Sequence, residues 1–161
     1  MTERQEQPGG PVRPLVALAF ATATFIALLI FGLGMLSLFL NEDVIEAPGL
    51  GQVPGICAVA CSMIAFAGSL WAAVRMQSPS FWGAAWTTAA TFIGYLVGLW
   101  FGAVATGADL AVATAVAGRI ATTWFGVVVA GAALIASWGG IALVRTRAQR
   151  PRWPWEDEFD E

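Results

Sequence analysis

Histidine and lysine are absent from the 161 residues, and charge of either sign is scarce at 12%. Without histidine there is no imidazole to ligate haem or zinc and none to shuttle protons near neutral pH. Soluble domains carry roughly 25% charged residues. A deficit this large, beside 58% hydrophobic residues and a mean hydropathy of +0.71, points to a chain built for lipid. Cysteine is nearly missing too. Cys57 and Cys61 lie in one apolar segment and make no disulfide framework. All basic residues are arginine, and the net charge is −3. A lysine-free chain rich in Ala and Gly reads as the codon bias of a GC-rich bacterial genome. No nucleic-acid partner, metal or cofactor is expected.

What is present is long and apolar. A membrane-spanning helix needs about 20 predominantly apolar residues. Four runs qualify: 14–40, 56–74, 81–106 and 120–144, none containing an acid or a base. The expected fold is therefore an all-α integral membrane protein, an antiparallel bundle of four transmembrane helices. At 1.5 Å per residue the first run reaches about 40 Å, so it must tilt or protrude. The apolar core of a cleaved signal peptide is about 7–15 residues. The first run is far longer and reads as an uncleaved signal anchor. Residues 1–13 form a polar lead expected to be disordered, and residues 145–161 a charged tail.

Arginine placement sets the expected orientation, because cytoplasmic flanks collect bases. Arg4 and Arg13 precede the first run, Arg75 follows the second, and Arg145, Arg147, Arg150 and Arg152 follow the fourth. The first loop instead carries Glu42, Asp43 and Glu46. Both termini and the second loop are thus expected in the cytoplasm of a bacterial plasma membrane. Trp71, Trp82, Trp86, Trp100, Trp124 and Trp138 lie towards segment ends, as an interfacial belt requires. The third loop, GADLAVATAVAGR, holds Asp109 and Arg119. Its leading reading is an extension of the flanking helices beyond the bilayer. Its second reading is a segment lying on the outer surface.

The third run carries the clearest packing signal. Gly94, Gly98 and Gly102 recur at four-residue steps, and Gly83, Thr87, Ala90, Thr91 and Ala105 fall on the same helical stripe. Leu96 falls on the other side, and Phe101 alone intrudes. Lipid offers little hydrophobic drive between helices, so small residues that admit close backbone approach supply the contact. The leading reading is packing within the chain, and the second is a homo-oligomer seam. Gly32, Gly34, Gly126 and Ala130 are weaker versions of the feature.

Candidate chemistry is thin. Ionisable residues inside a membrane mark ion pathways and proton relays, and the four runs have none. Small multidrug exporters use an acid in their first helix, whereas residues 14–40 contain none. Cys57 and Cys61 share a helical face, as a redox pair would. Quinone-linked thiol oxidoreductases use C-x-x-C with a second pair as relay, whereas this chain has C-x-x-x-C and no second pair. Packing among small neighbours is the leading reading. Thr22, Thr24, Ser62, Ser69, Thr122 and Thr123 are expected to bond backbone carbonyls or a neighbour. The acids of the first loop lack the spacing of a calcium loop and read as a solvated turn.

The tail RTRAQRPRWPWEDEFDE reverses sign halfway. Its arginines suit anionic headgroups, while its acids are repelled by them. Trp153, Trp155, Glu156, Asp157, Glu158 and Phe159 make an aromatic and acidic cluster that fits a short motif for a cytoplasmic or membrane protein partner. The loop DVIEAPGLGQVPG and the terminus RPRWPWEDEFDE resemble a family of small four-helix membrane proteins from high-GC Gram-positive bacteria without assigned function. That resemblance implies a plasma membrane location and carries over no catalytic residue. The functional expectation is a non-enzymatic scaffold or accessory subunit. The alternatives are a thiol oxidoreductase using Cys57 and Cys61, and a small passive pore or transporter subunit.

Overall fold

A computed structural model describes residues 14–45, 51–75 and 81–146. The described chain is all-helical, with no strand among the described residues. Its helices are α1 (Pro14–Leu40), α2 (Val53–Val74), α3 (Trp82–Ala105), α4 (Leu110–Thr122) and α5 (Trp124–Thr146). Four of them, all but α4, are long and apolar enough to cross a membrane.

The helix ends follow from local chemistry. Asn41 takes the left-handed conformation (φ 51°), and the Glu42 amide then donates back to the Ser37 carbonyl at 3.2 Å. This is a Schellman stop, with Asn in the position that Gly more often fills. Ser37 Oγ donates to the Glu42 carbonyl at 2.7 Å and braces the turn. At the end of α3, Gly107 does the same at φ 88°, and the Ala108 amide reaches the Ala103 carbonyl at 3.1 Å. Helix α2 begins at Val53, ahead of the expected Ile56. Pro54 sits in its first turn, where an amide has no intrahelical partner to lose.

The third loop differs from its leading expectation. Residues 110–122 prolong neither neighbour; they form a separate helix. Gly107 turns the chain after α3, and Asp109 enters α4 from an extended conformation. At the far end Thr123 is again extended (φ −106°, ψ 174°). The fourth long helix therefore starts at Trp124, and Ile120 belongs to α4. Gly126 makes this corner possible, because a Cβ there would collide with the Ile120 carbonyl.

The long helices alternate in direction. Phe25 and Phe66 stack with centroids 4.7 Å apart and rings 8° from parallel, joining the middles of α1 and α2. Helix α2 makes its most extensive contact with α3, and α1 with α5. Helix α3 also packs on α5, and α2 touches α5 across the centre, whereas α1 and α3 make no contact. The order around the bundle is thus α1, α2, α3, α5. The core is Phe25, Leu29, Phe66, Leu70, Leu99, Ile120, Phe125, Val129 and Ile141 among buried alanines. Many of the bulkiest apolar side chains point outward instead, including Phe39 (78% exposed), Ile64 (74%) and Trp82 (82%).

Candidate functional site

The small stripe of α3 faces α2 of the same chain. A Cβ added at Gly98 would lie 2.5 Å from the Cys57 carbonyl oxygen and 2.9 Å from the Ala58 Cα. At Gly102 it would meet the Pro54 Cα at 2.6 Å, and at Gly94 the Ala65 Cβ at 2.8 Å. Gly83 approaches Ala73 and Ile141 in the same way. Thr87 and Thr91 are fully buried, and the Thr91 hydroxyl donates to the Thr87 carbonyl at 2.6 Å. Phe101, expected to intrude on the stripe, is exposed, and Leu96 is half-buried against the core.

Cys57 and Cys61 are half-buried free thiols lying in this seam. The Cys61 Cβ is 2.7 Å from where a Gly98 side chain would start, and the Cys57 Sγ 3.3 Å from that point at Gly102. The sequence separates the cysteine motif and the glycine stripe by some forty positions. The fold makes them the two sides of one contact. The expected backbone bonds form for Thr24, Ser62, Ser69 and Thr122. Thr123 departs from that expectation: its Oγ1 is buried without a hydrogen-bond partner, while its amide donates to the Arg119 carbonyl at 3.0 Å.

Charge is sorted to the two ends. The described carboxylates Glu42, Asp43 and Asp109 all lie at the end formed by the C-termini of α1 and α3. At this acidic end Arg119 of α4 donates to Glu42 at 3.0 Å, tying the third loop to the turn after α1. Trp100 Nε1 donates to Thr114 Oγ1 at 3.3 Å, so α4 is also fastened to α3. A groove of about 800 Å³ opens nearby between α1 and α2, lined by Ile30, Asp43, Gln52, Ile56, Val59 and Met63 among others. Among the described residues no group of three Cys, Asp or Glu is placed to hold a metal ion.

The opposite end carries Arg75 and Arg145. The Arg75 guanidinium lies 5.4 Å from the Trp71 ring centroid. Arg145 lies 4.6 Å from that of Phe81. Phe81 in turn stacks on Trp138 at 6.2 Å and 28°. Sequence reading placed these arginines but not their aromatic partners, because Phe81 and Trp138 are 57 positions apart and only the antiparallel packing of α3 on α5 joins them. The candidate partner motif, Trp153, Trp155, Glu156, Asp157, Glu158 and Phe159, lies outside the described residues.

Among the described residues these features define an all-helical protein with four long apolar helices and a glycine-lined seam. The model of a family of unknown function, DUF6121, matches residues 12–161, and the chain belongs to that family. No curated protein and no solved structure matches the chain.

Proposed function

We propose that this chain is a multi-pass protein of a bacterial plasma membrane, acting by interaction as a scaffold or accessory subunit rather than as an enzyme. The observation that carries the reading is the apolar surface that the long helices expose. Large apolar residues such as Phe39, Ile64 and Trp82 face outward, and the small residues Gly94, Gly98 and Gly102 line the α2–α3 contact. In water such a surface would be a large exposed apolar patch. In lipid it is the favourable arrangement, with small residues at helix contacts. Arg75 and Arg145 at one end, against Arg119 alone among the described bases at the other, support a cytoplasmic location for both termini. Reporter fusions at residue 1 and residue 161 test this; an external signal from either end would sink the topology.

Residues 153–159 are the proposed partner motif. Affinity capture from native membranes, with and without residues 153–161, tests it. Loss of a cytosolic protein on deletion supports the motif, and an unchanged captured set leaves the tail a topological device. Cys57 and Cys61 are read as packing residues, because their positions beside Gly98 and Gly102 demand small side chains. Thiol trapping in membranes separates this from an oxidoreductase. Thiols that cycle between an accessible and an oxidised form would restore the enzymatic reading.

A further inference from the structure

We infer that the arginine end of the α3–α5 contact is a binding site for the phosphate of an anionic phospholipid, built from Arg145 on a Phe81–Trp138 platform. The inference rests on the membrane reading above.

The geometry starts from α5. Trp138 and Arg145 are seven residues apart, so they stand two turns apart on one face of the helix. Phe81, just before α3, touches both: its ring stacks on Trp138 at 6.2 Å and carries the Arg145 guanidinium at 4.6 Å. The three side chains are therefore continuous, and all are exposed. A guanidinium within about 6 Å of a ring centroid is held by the ring quadrupole. The ring occupies one side of the group, and its five N–H donors form a planar fork. That fork matches two oxygens of a phosphate, which arginine binds bidentately. A lysine at this position would supply charge without the planar fork.

Charge complementarity selects the occupant. Glu42, Asp43 and Asp109, the carboxylates among the described residues, lie at the other end of the bundle. Arg75 lies at the same end as Arg145, held over Trp71, and adds to the field. Trp138 and Phe81 are amphipathic or apolar surfaces at the level where acyl chains meet headgroups. A lipid phosphate with its glycerol against these rings satisfies both parts of the site. Free phosphate would use only the guanidinium.

The test is native mass spectrometry of the full chain, purified in non-ionic detergent and offered phosphatidylglycerol or phosphatidylcholine. The wild type should carry phosphatidylglycerol in preference by about fivefold, the effect of one base facing anionic lipid. Arg145→Gln should abolish the preference. Arg145→Lys should retain part of it, and Phe81→Leu, which keeps the charge but removes the platform, should weaken it. An unchanged size-exclusion profile and helical circular dichroism in detergent establish that each variant is folded. Equal binding of the two lipids, or a preference that survives Arg145→Gln, would overturn the inference. So would displacement of the lipid by millimolar inorganic phosphate. Preference that emerges only after deletion of residues 153–161 would also overturn it, because the tail carboxylates would then be the occupant. Carbonate extraction of membranes keeps the two readings apart. Release of the wild type sinks the membrane reading, whereas retained protein without lipid preference sinks the site alone.

Discussion

Arg119 and Glu42 are 77 positions apart in sequence and 3.0 Å apart in space. The pair joins α4 to the turn that ends α1. Both side chains are partly exposed, at 28% and 50%. Exposed pairs contribute about 0.2–1 kcal/mol and weaken with salt. A double-mutant cycle with Glu42→Gln and Arg119→Gln should give a coupling of about that size. Thermal unfolding in detergent at low and high salt measures it. A coupling that does not fall with salt would show that the contact is not electrostatic.

Asn41 governs where Glu42 points, through its left-handed backbone at φ 51°. That conformation costs most residues about 1–2 kcal/mol, and Gly and Asn far less. Asn41→Gly should unfold within a few degrees of the wild type. Asn41→Val should be destabilised by about 1–2 kcal/mol and should also lose most of the Glu42–Arg119 coupling. If Asn41→Val matches Asn41→Gly, the turn does not constrain the chain.

Gly98 stands where two backbones meet. Its missing side chain would start 2.5 Å from the Cys57 carbonyl oxygen, a distance that no rotamer change can relieve. Gly98→Ala should be destabilised by about 1–3 kcal/mol, the usual effect of overpacking, and Gly98→Leu by more. Gly68 on α2 has nothing within 4 Å, so Gly68→Ala should be neutral or slightly stabilising. Melting temperatures in detergent that rank Gly68→Ala with Gly98→Ala would remove the seam argument.

Phe25 and Phe66 are both fully buried, and their stack is the main aromatic contact between α1 and α2. Truncating either to Ala should destabilise by about 3–5 kcal/mol. Phe25→Ala combined with Phe66→Ala should be less harmful than the sum, because the second truncation removes a partner already lost. Strict additivity would mean that the rings pack on other neighbours rather than on each other.

Much of the architecture is legible in the chain because apolar length is a local property. A run such as Pro14–Leu40 without a charge has only one economical way to satisfy its backbone amides, and that is a helix. The same holds for the glycine steps of α3, since four-residue spacing on a helix is a face whatever it packs against. The arginines sort themselves along the sequence before any folding is considered.

The partners of these features are decided only by tertiary structure. Nothing near Gly98 in sequence says that Cys57 lies opposite, because the loop between α2 and α3 leaves the register of the hairpin open. Composition could not separate an extended third loop from a distinct helix. Alanine-rich sequence favours helix in both cases, and the corner depends on Gly126 passing the Ile120 carbonyl. Likewise Arg145 reads from sequence as a simple anchor, and only the approach of α3 to α5 gives it the Phe81 ring. The chain by itself determined four apolar helices, their small-residue faces and their charged ends. The fold decided which faces meet, since contact between helices depends on register and corner geometry that a one-dimensional pattern does not carry.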